Sequence, residues 1–464
     1  MKFMKCRPVV LVVAAVGCWM SGTPDRSVAK DWTQFRGAAS DGRASTACPV
    51  RWSSTENVRW KKKLDGEGWS GPVVWQDRVF VTEAVPDMNP RGEEAAVDGV
   101  RPEPYRGGGG RRRDDLVDTV YRYDVVCLDA GNGETIWRRT AKRGKPPIPR
   151  HSSNTYATET PLTDGERVYA YFGMNGVFCF DMSGGLVWQR DLGEYSMRAG
   201  WGTSSSPVLF ESKLFIQCDN DEQSFLVALD SRSGEELWRV NRDEASQYSS
   251  PIVWQNSQRD ELIAGGMTYR SYDPDTGKLL WSLDMAKGRS SATAVAADDR
   301  LYVGTERRNR GGADDGGGFL FAVKPGGSGD ITPPEGEEAS TYVQWKIERS
   351  DLQMASPAYA GGCLYILERR AGRLHCIKAS TGETAYRQRL PGARAFWASP
   401  WSADGRVYCL DTSGTTYVLD AGPDYKLIAE NRIDEQAWSS PAVAGGRLFL
   451  RTIDHLYCIE EPSH

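Results

Sequence analysis

Apolar and polar positions alternate along this chain in short runs, with no sustained helical spacing. "GPVVWQDRVFVTE" (71–83) sets two such runs on either side of a Gln-Asp turn. The outline returns as "TPLTDGERVYAYFG" (160–173), "SPVLFESKLFIQC" (206–218), "SPIVWQNSQRDELIAGG" (250–266) and "SATAVAADDRLYVG" (291–304). It returns again as "SPAYAGGCLYIL" (356–367), "SPWSADGRVYCL" (399–410) and "SPAVAGGRLFL" (440–450), eight copies in all. Each copy predicts a short strand after Ser-Pro, a tight turn, and a second strand of β-branched and aromatic residues. A second phrase follows: "CLDAGNGETIW" (127–137), "CFDMSGGLVW" (179–188), "ALDSRSGEELW" (228–238), "SYDPDTGKLLW" (271–281), "CIKASTGETAY" (376–386) and "VLDAGPDYKLI" (418–428). It predicts a third strand, a Gly turn and a fourth strand closing on an aromatic residue.

Pro161, Pro207 and Pro251, then Pro357, Pro400 and Pro441, mark a period of 41 to 46 residues, the length of one four-stranded unit. Such a sheet is apolar on both faces, and radial stacking buries both. The pattern therefore predicts an all-β fold, an eight-bladed β-propeller of four-stranded antiparallel blades. The eighth copy stops at "HLYCIEEPSH" without a fourth strand. "ENVRWKKKL" (56–64), with Trp60 at the closing aromatic position, supplies one, so the N-terminal strand is expected to complete the last blade. The expected organisation is a signal peptide at 1–29, a lead-in at 30–55 and the ring at 56–460. Insertions at 84–118 and 306–318 join second to third strands in blades 1 and 5, which puts both on one face. The insertion at 325–340 falls on the other face.

The second phrase, A/C-Leu-Asp-x-x-x-Gly-x-x-x-Trp, resembles the repeat of the PQQ-like β-propellers, and "DWTQFRG" (31–37) looks like the segment preceding the ring in exported members. The resemblance implies eight blades, with the closing aromatic residue packed against the next blade. Here that residue is Trp60, Trp137, Trp188, Trp238, Trp281, Trp345 and Tyr386, with Ile428 departing from the pattern. Enzymatic members carry adjacent cysteines against the quinone, and carboxylate and amide ligands for calcium. This chain has no Cys-Cys dipeptide, and no segment matches the calcium ligands. The resemblance therefore points to the non-enzymatic exported branch with no cofactor, and PQQ with calcium in a quinoprotein oxidoreductase is the alternative. The expected partner is an envelope protein or a glycan, bound by a monomer.

Composition agrees with many short strands: 49 Gly, 16 Trp and 19 Tyr in 464 residues. The net charge of −5, from 57 basic and 62 acidic residues, leaves no footprint for nucleic acid. Lys2, Lys5 and Arg7 precede the apolar "VVLVVAAVG", and "SVA" (27–29) offers a cleavage site, so export is expected. "AVGC" also reads as a lipoprotein signal, which would put a lipid anchor on Cys18. No later stretch is apolar enough to span a membrane. Cys127, Cys179, Cys376 and Cys458 stand where sister repeats have Ala228 and Ala322, and so read as small buried residues. Cys48, Cys218, Cys363 and Cys409 leave one disulfide open. The four histidines have no zinc spacing, and "CDNDEQ" (218–223) reads as a solvated turn rather than a calcium loop. No hydrolase elbow, zinc-protease or phosphate-loop motif is present, so no catalytic residue is named.

Residues just before each inner strand are expected on the insertion-bearing face: Trp69, Tyr248, Arg289, Met354, Trp397 and Trp438, with Trp201 close by. The crossing from blade 1 to blade 2, "PRHSSNTYATE" (149–159), adds His151, Asn154 and Tyr156. An aromatic rim with a few polar groups suits a sugar, a peptide or a planar ligand. No metal ligand is expected among them.

Overall fold

A computed structural model describes residues 31–87, 118–310 and 313–461. Eight sheets each carry four antiparallel strands, in chain order from the innermost outward in blades 1 to 7. Blade 1 comprises Val73–Trp75, Arg78–Pro86, Tyr121–Asp129 and Thr135–Gly144. Blade 8 comprises Ala442–Ala444, Arg447–Arg451 and His455–Ile459, and its outermost strand is Val58–Lys63 from the N-terminal side. Trp60 pairs there with Cys458, so the two ends of the ring share one sheet. The predicted class, blade count and closure all stand.

The Ser or Thr before each inner strand has a role that the strand pattern alone does not reveal. The amide of Gly71 donates to Thr160 Oγ1, that of Thr160 to Ser206 Oγ and that of Ser206 to Ser250 Oγ, each at 2.9 Å. Ser250 continues to Thr293, Thr293 to Ser356, Ser356 to Ser399 and Ser399 to Ser440, at 2.9–3.0 Å. Each blade thus satisfies a buried amide of the blade before it. The circuit stops at Gly71, which has no hydroxyl to offer Ser440. Ser439 Oγ instead donates to Ser70 O across that seam at 2.9 Å.

The lead-in lies across the axial opening. Trp32 exchanges backbone bonds with Val74 of blade 1, Thr33 accepts from Thr163 of blade 2, and Gln34 Oε1 accepts from Leu209 of blade 3. Gly42 and Ala44 pair with Ser402 of blade 7. These bonds cover free edges of innermost strands, which would otherwise be left unpaired. Arg36 is buried and donates to Pro357 O of blade 6, and burial lowers its pKa to about 10.

The closing indoles sit against the glycine turn of the following blade. Trp60 Nε1 donates to Ala130 O, Trp137 to Met182 O, Trp188 to Ser231 O and Trp345 to Ala379 O, each at 3.0 Å. A Cβ on Gly133, Gly234 or Gly382 would strike Trp60, Trp188 or Trp345, and all three glycines have positive φ. Trp238 and Tyr386 are only half-buried. Trp281 is fully buried but donates to Glu261 Oε2 within its own blade. The turn it faces opens into the 325–340 insertion, whose Gly329–Asp330 pairs in parallel with Trp281 and Ser282 as a fifth strand of blade 4. All eight cysteines among the described residues are free and buried, so the disulfide left open among Cys48, Cys218, Cys363 and Cys409 does not form in this structure.

The backbone from Arg307 to Arg310 pairs with Ala313–Gly317 as a hairpin between the second and third strands of blade 5. The insertion of blade 1 leaves the sheet after Pro86 and returns at Tyr121. Residues 88–117 of that insertion, the expected signal peptide at 1–29 and Cys18 with it lie outside the described residues.

Candidate functional site

Each blade enters its inner strand at the end where its second and third strands join, the end at which the chain leaves blade 1 after Pro86 and at which blade 5 carries its hairpin, so the entry residues gather around that mouth. In blades 7, 8 and 1 they are Trp397, Trp438 and Trp69. Their rings form a stack, with centroids 4.7 Å apart for Trp397 and Trp438 and 5.0 Å apart for Trp438 and Trp69. The Arg369 guanidinium caps the far end, 4.7 Å from the Trp397 ring. The stack continues into the blade 1–2 crossing, because Trp69 Nε1 donates to Ser153 O and its amide donates to Thr155 Oγ1. Asn154 Nδ2 then donates to Trp201 O at 2.9 Å and to Thr203 O at 3.0 Å. Trp201 lies 6.0 Å from Tyr248, and Arg289 sits over its ring at 4.9 Å while pairing with Glu306.

The residues picked out as a rim therefore form one connected arc from blade 7 round to blade 5. His151 belongs to it through its amide, which donates to Trp201 O, and its Nδ1 contacts Ser153 Oγ at 2.7 Å. Tyr156 is the exception in depth. It lies under the arc, buried, with Arg150 above its ring at 4.9 Å and Tyr121 edge-on at 5.2 Å. Met354, at the corresponding place in blade 6, interrupts the aromatic series. The stacking partners of Trp438 and Trp397 occupy ring faces a flat ligand would need, so this part of the arc is a rigid wall.

Where the blade 1–2 crossing meets Gly202 and Thr203 lies a recess of about 20 Å³, partly open to solvent. Tyr156 and Asn175 line it, and the Tyr156 hydroxyl and Asn175 Oδ1 have no hydrogen-bond partner. Burial pushes the Tyr156 phenol well above its ordinary value, so it stays protonated. Asn175 comes from the tight turn joining the second and third strands of blade 2, which no sequence pattern marked. Next to the crossing, Glu159 is buried with one carboxylate oxygen unpartnered, and burial raises its pKa to about 7.

Among the described residues one group offers three metal-ligand atoms together: Asp351, Glu368 and His375. Arg387 already fills it, donating to Glu368 at 2.7 Å and Asp351 at 2.8 Å. Burial would raise the Glu368 pKa, but hydrogen bonds from Arg387 and His375 outweigh it and hold the carboxylate ionised. Burial keeps His375 below its usual value. The group reads as a blade-6 ion-pair network in which the Arg387 guanidinium already supplies the positive charge that pairs with both carboxylates.

The repeat, the eight-bladed ring and the docked indoles define a PQQ-like β-propeller. The chain belongs to the family whose model is described as outer membrane protein assembly factor BamB, matched over residues 122–269 and 329–423. It is also similar to the quinohemoprotein alcohol dehydrogenase ADH IIB of Pseudomonas putida, 23% identical over 313 residues, 60% of this chain. The match spans only 44% of that relative's length. Among solved structures, the quinohemoprotein alcohol dehydrogenase of Comamonas testosteroni superposes with a TM-score of 0.62 at 11% identity, covering 94% of this chain and 81% of that one. BamB from Moraxella catarrhalis gives 0.52 at 14% identity, covering 74% and 89%. Both likenesses concern the fold, which enzymes and an assembly factor share, so the site has to decide function.

Proposed function

We propose that this protein is an exported, non-catalytic propeller scaffold that holds an envelope partner against its insertion-bearing face. The observation that carries this reading is the connected arc from Trp397 through Trp438, Trp69 and Asn154 to Trp201, Tyr248 and Arg289. It presents half-buried aromatic surface with a few fixed polar groups, the make-up of a binding surface. Membership of the family described by an assembly factor supports the same reading. Among the described residues no helix is long and apolar enough to cross a membrane.

The second reading, a PQQ-dependent oxidoreductase, is favoured by the similarity to quinohemoprotein dehydrogenases. The residues present do not fit that cofactor. The cysteines among the described residues are single and buried, the one ligand cluster is filled by Arg387, and the tryptophans of the stack cover one another. Incubating the purified protein with PQQ, calcium, a primary alcohol and a redox dye tests this directly. The scaffold reading predicts no dye reduction above the protein-free rate, and sustained turnover would overturn it.

A further inference from the structure

We infer that the insertion-bearing face binds a neutral hexose glycan, with the recess lined by Tyr156 and Asn175 receiving one sugar hydroxymethyl group. The inference rests on the proposed binding role of that face and adds the class of ligand.

The recess has room for about one water-sized group. Its unpartnered polar atoms are the Tyr156 hydroxyl and Asn175 Oδ1, on side chains that are each 8% exposed. A buried polar group without a partner is costly, and such groups ordinarily find a ligand or a water. Together they offer a donor and an acceptor, the complement of a single alcohol. The rest of the wall includes Ile148, Phe172 and Met174, an apolar seat for a methylene. No charged side chain lines the recess, so a phosphate or carboxylate would be stripped of water there without compensation. A –CH2OH group matches this lining.

The neighbours of the recess extend the match. Thr155, which lines it, accepts from the amide of Trp69, and Gly202 and Thr203 follow Trp201 directly. Two half-buried residues of the arc, Trp69 and Trp201, are therefore tied to the lining, one through its amide and the other along the chain. The apolar face of a pyranose packs on such rings while its hydroxyls keep polar partners. A hexose linked into a chain along the arc would place its ring there and its exocyclic arm in the recess.

Calorimetric titration of the full chain with cellohexaose, maltohexaose and laminarihexaose tests this. At least one should bind with a Kd below about 1 mM, the weak range for a single sugar site. Tyr156→Phe should weaken that binding about tenfold, the effect of one lost hydrogen bond, with an unchanged thermal midpoint. Tyr386→Phe removes a buried hydroxyl in blade 6, outside the recess, and should bind as the parent does. If cellohexaose is the ligand, xylohexaose, which has the same linkage but no hydroxymethyl, should bind about tenfold more weakly. Absence of saturable binding to all three hexose oligomers, equal binding by the Tyr156→Phe variant, or equal weakening by both variants would overturn the inference. None of these results bears on capture of a protein partner at the arc, which is measured separately.

Discussion

Trp60 donates its indole N–H to the carbonyl of Ala130 at 3.0 Å, tying the strand that completes blade 8 to the turn of blade 1. The same indole lies under Gly133, where a Cβ would approach it to 2.7 Å. One residue near the N-terminus thus joins the last blade's sheet and packs on the first blade. Trp60→Ala should cost about 3–5 kcal/mol, as for other buried Trp truncations. Urea unfolding checks this, and an unaltered midpoint would show that the seam does not depend on this contact.

Removing residues 31–64 should do more than lower stability. It strips the outermost strand from blade 8 and uncovers inner edges in blades 1, 2, 3 and 7. Unpaired edges promote pairing between chains. The truncated protein should therefore elute as aggregate in size-exclusion chromatography, and a folded monomer would contradict the closure described above.

The hydroxyl circuit predicts a smaller effect. Ser399→Ala leaves the buried amide of Ser356 without its acceptor and removes one of seven equivalent links. The expected loss is about 1–3 kcal/mol, the cost of an unsatisfied buried donor. Chemical denaturation with the conservative Ser399→Thr variant alongside checks this, because the threonine should restore most of the loss.

Glu159 predicts a pH dependence. Its pKa rises from 4.5 in the unfolded chain to about 7 when folded, because burial opposes ionisation. The stability this provides is complete below pH 4.5, falls as pH rises through about 7, and is constant thereafter. At pH 8 the parent should be less stable than Glu159→Gln by about 3 kcal/mol, the free energy of the shift. At pH 4 the two should unfold alike. Parallel denaturation curves at both pH values decide it, and a difference independent of pH would contradict the assignment.

The ring was legible because its units repeat: Ser-Pro starts, Gly turns and closing aromatics recur at one period, and burial on both faces leaves few other ways to pack them. Trp281 shows where the repeat varies: it still abuts Gly327 in the turn after Val323, but its N–H goes to Glu261. The arc was partly legible, because Trp69, Trp397 and Trp438 occupy one repeat position in consecutive blades. Their mutual stacking follows from that adjacency. Tyr156 and Asn175 were harder, because a crossing loop and a turn of blade 2 meet only after the blades dock. Tyr156 could be named but not its depth, and Asn175 carried no signal at all. The hydroxyl circuit was written in the sequence as Ser-Pro, yet its purpose lies between blades and needs coordinates to see.

The claim that the insertion-bearing face is the working surface is tested most directly by photocrosslinking in intact cells. A photoreactive residue would replace Trp397 on the arc in one strain and exposed Leu186 on the outer strand of blade 2 in another. The account predicts a discrete envelope adduct from position 397 and none from position 186. Adducts from position 186 with none from position 397 would contradict it.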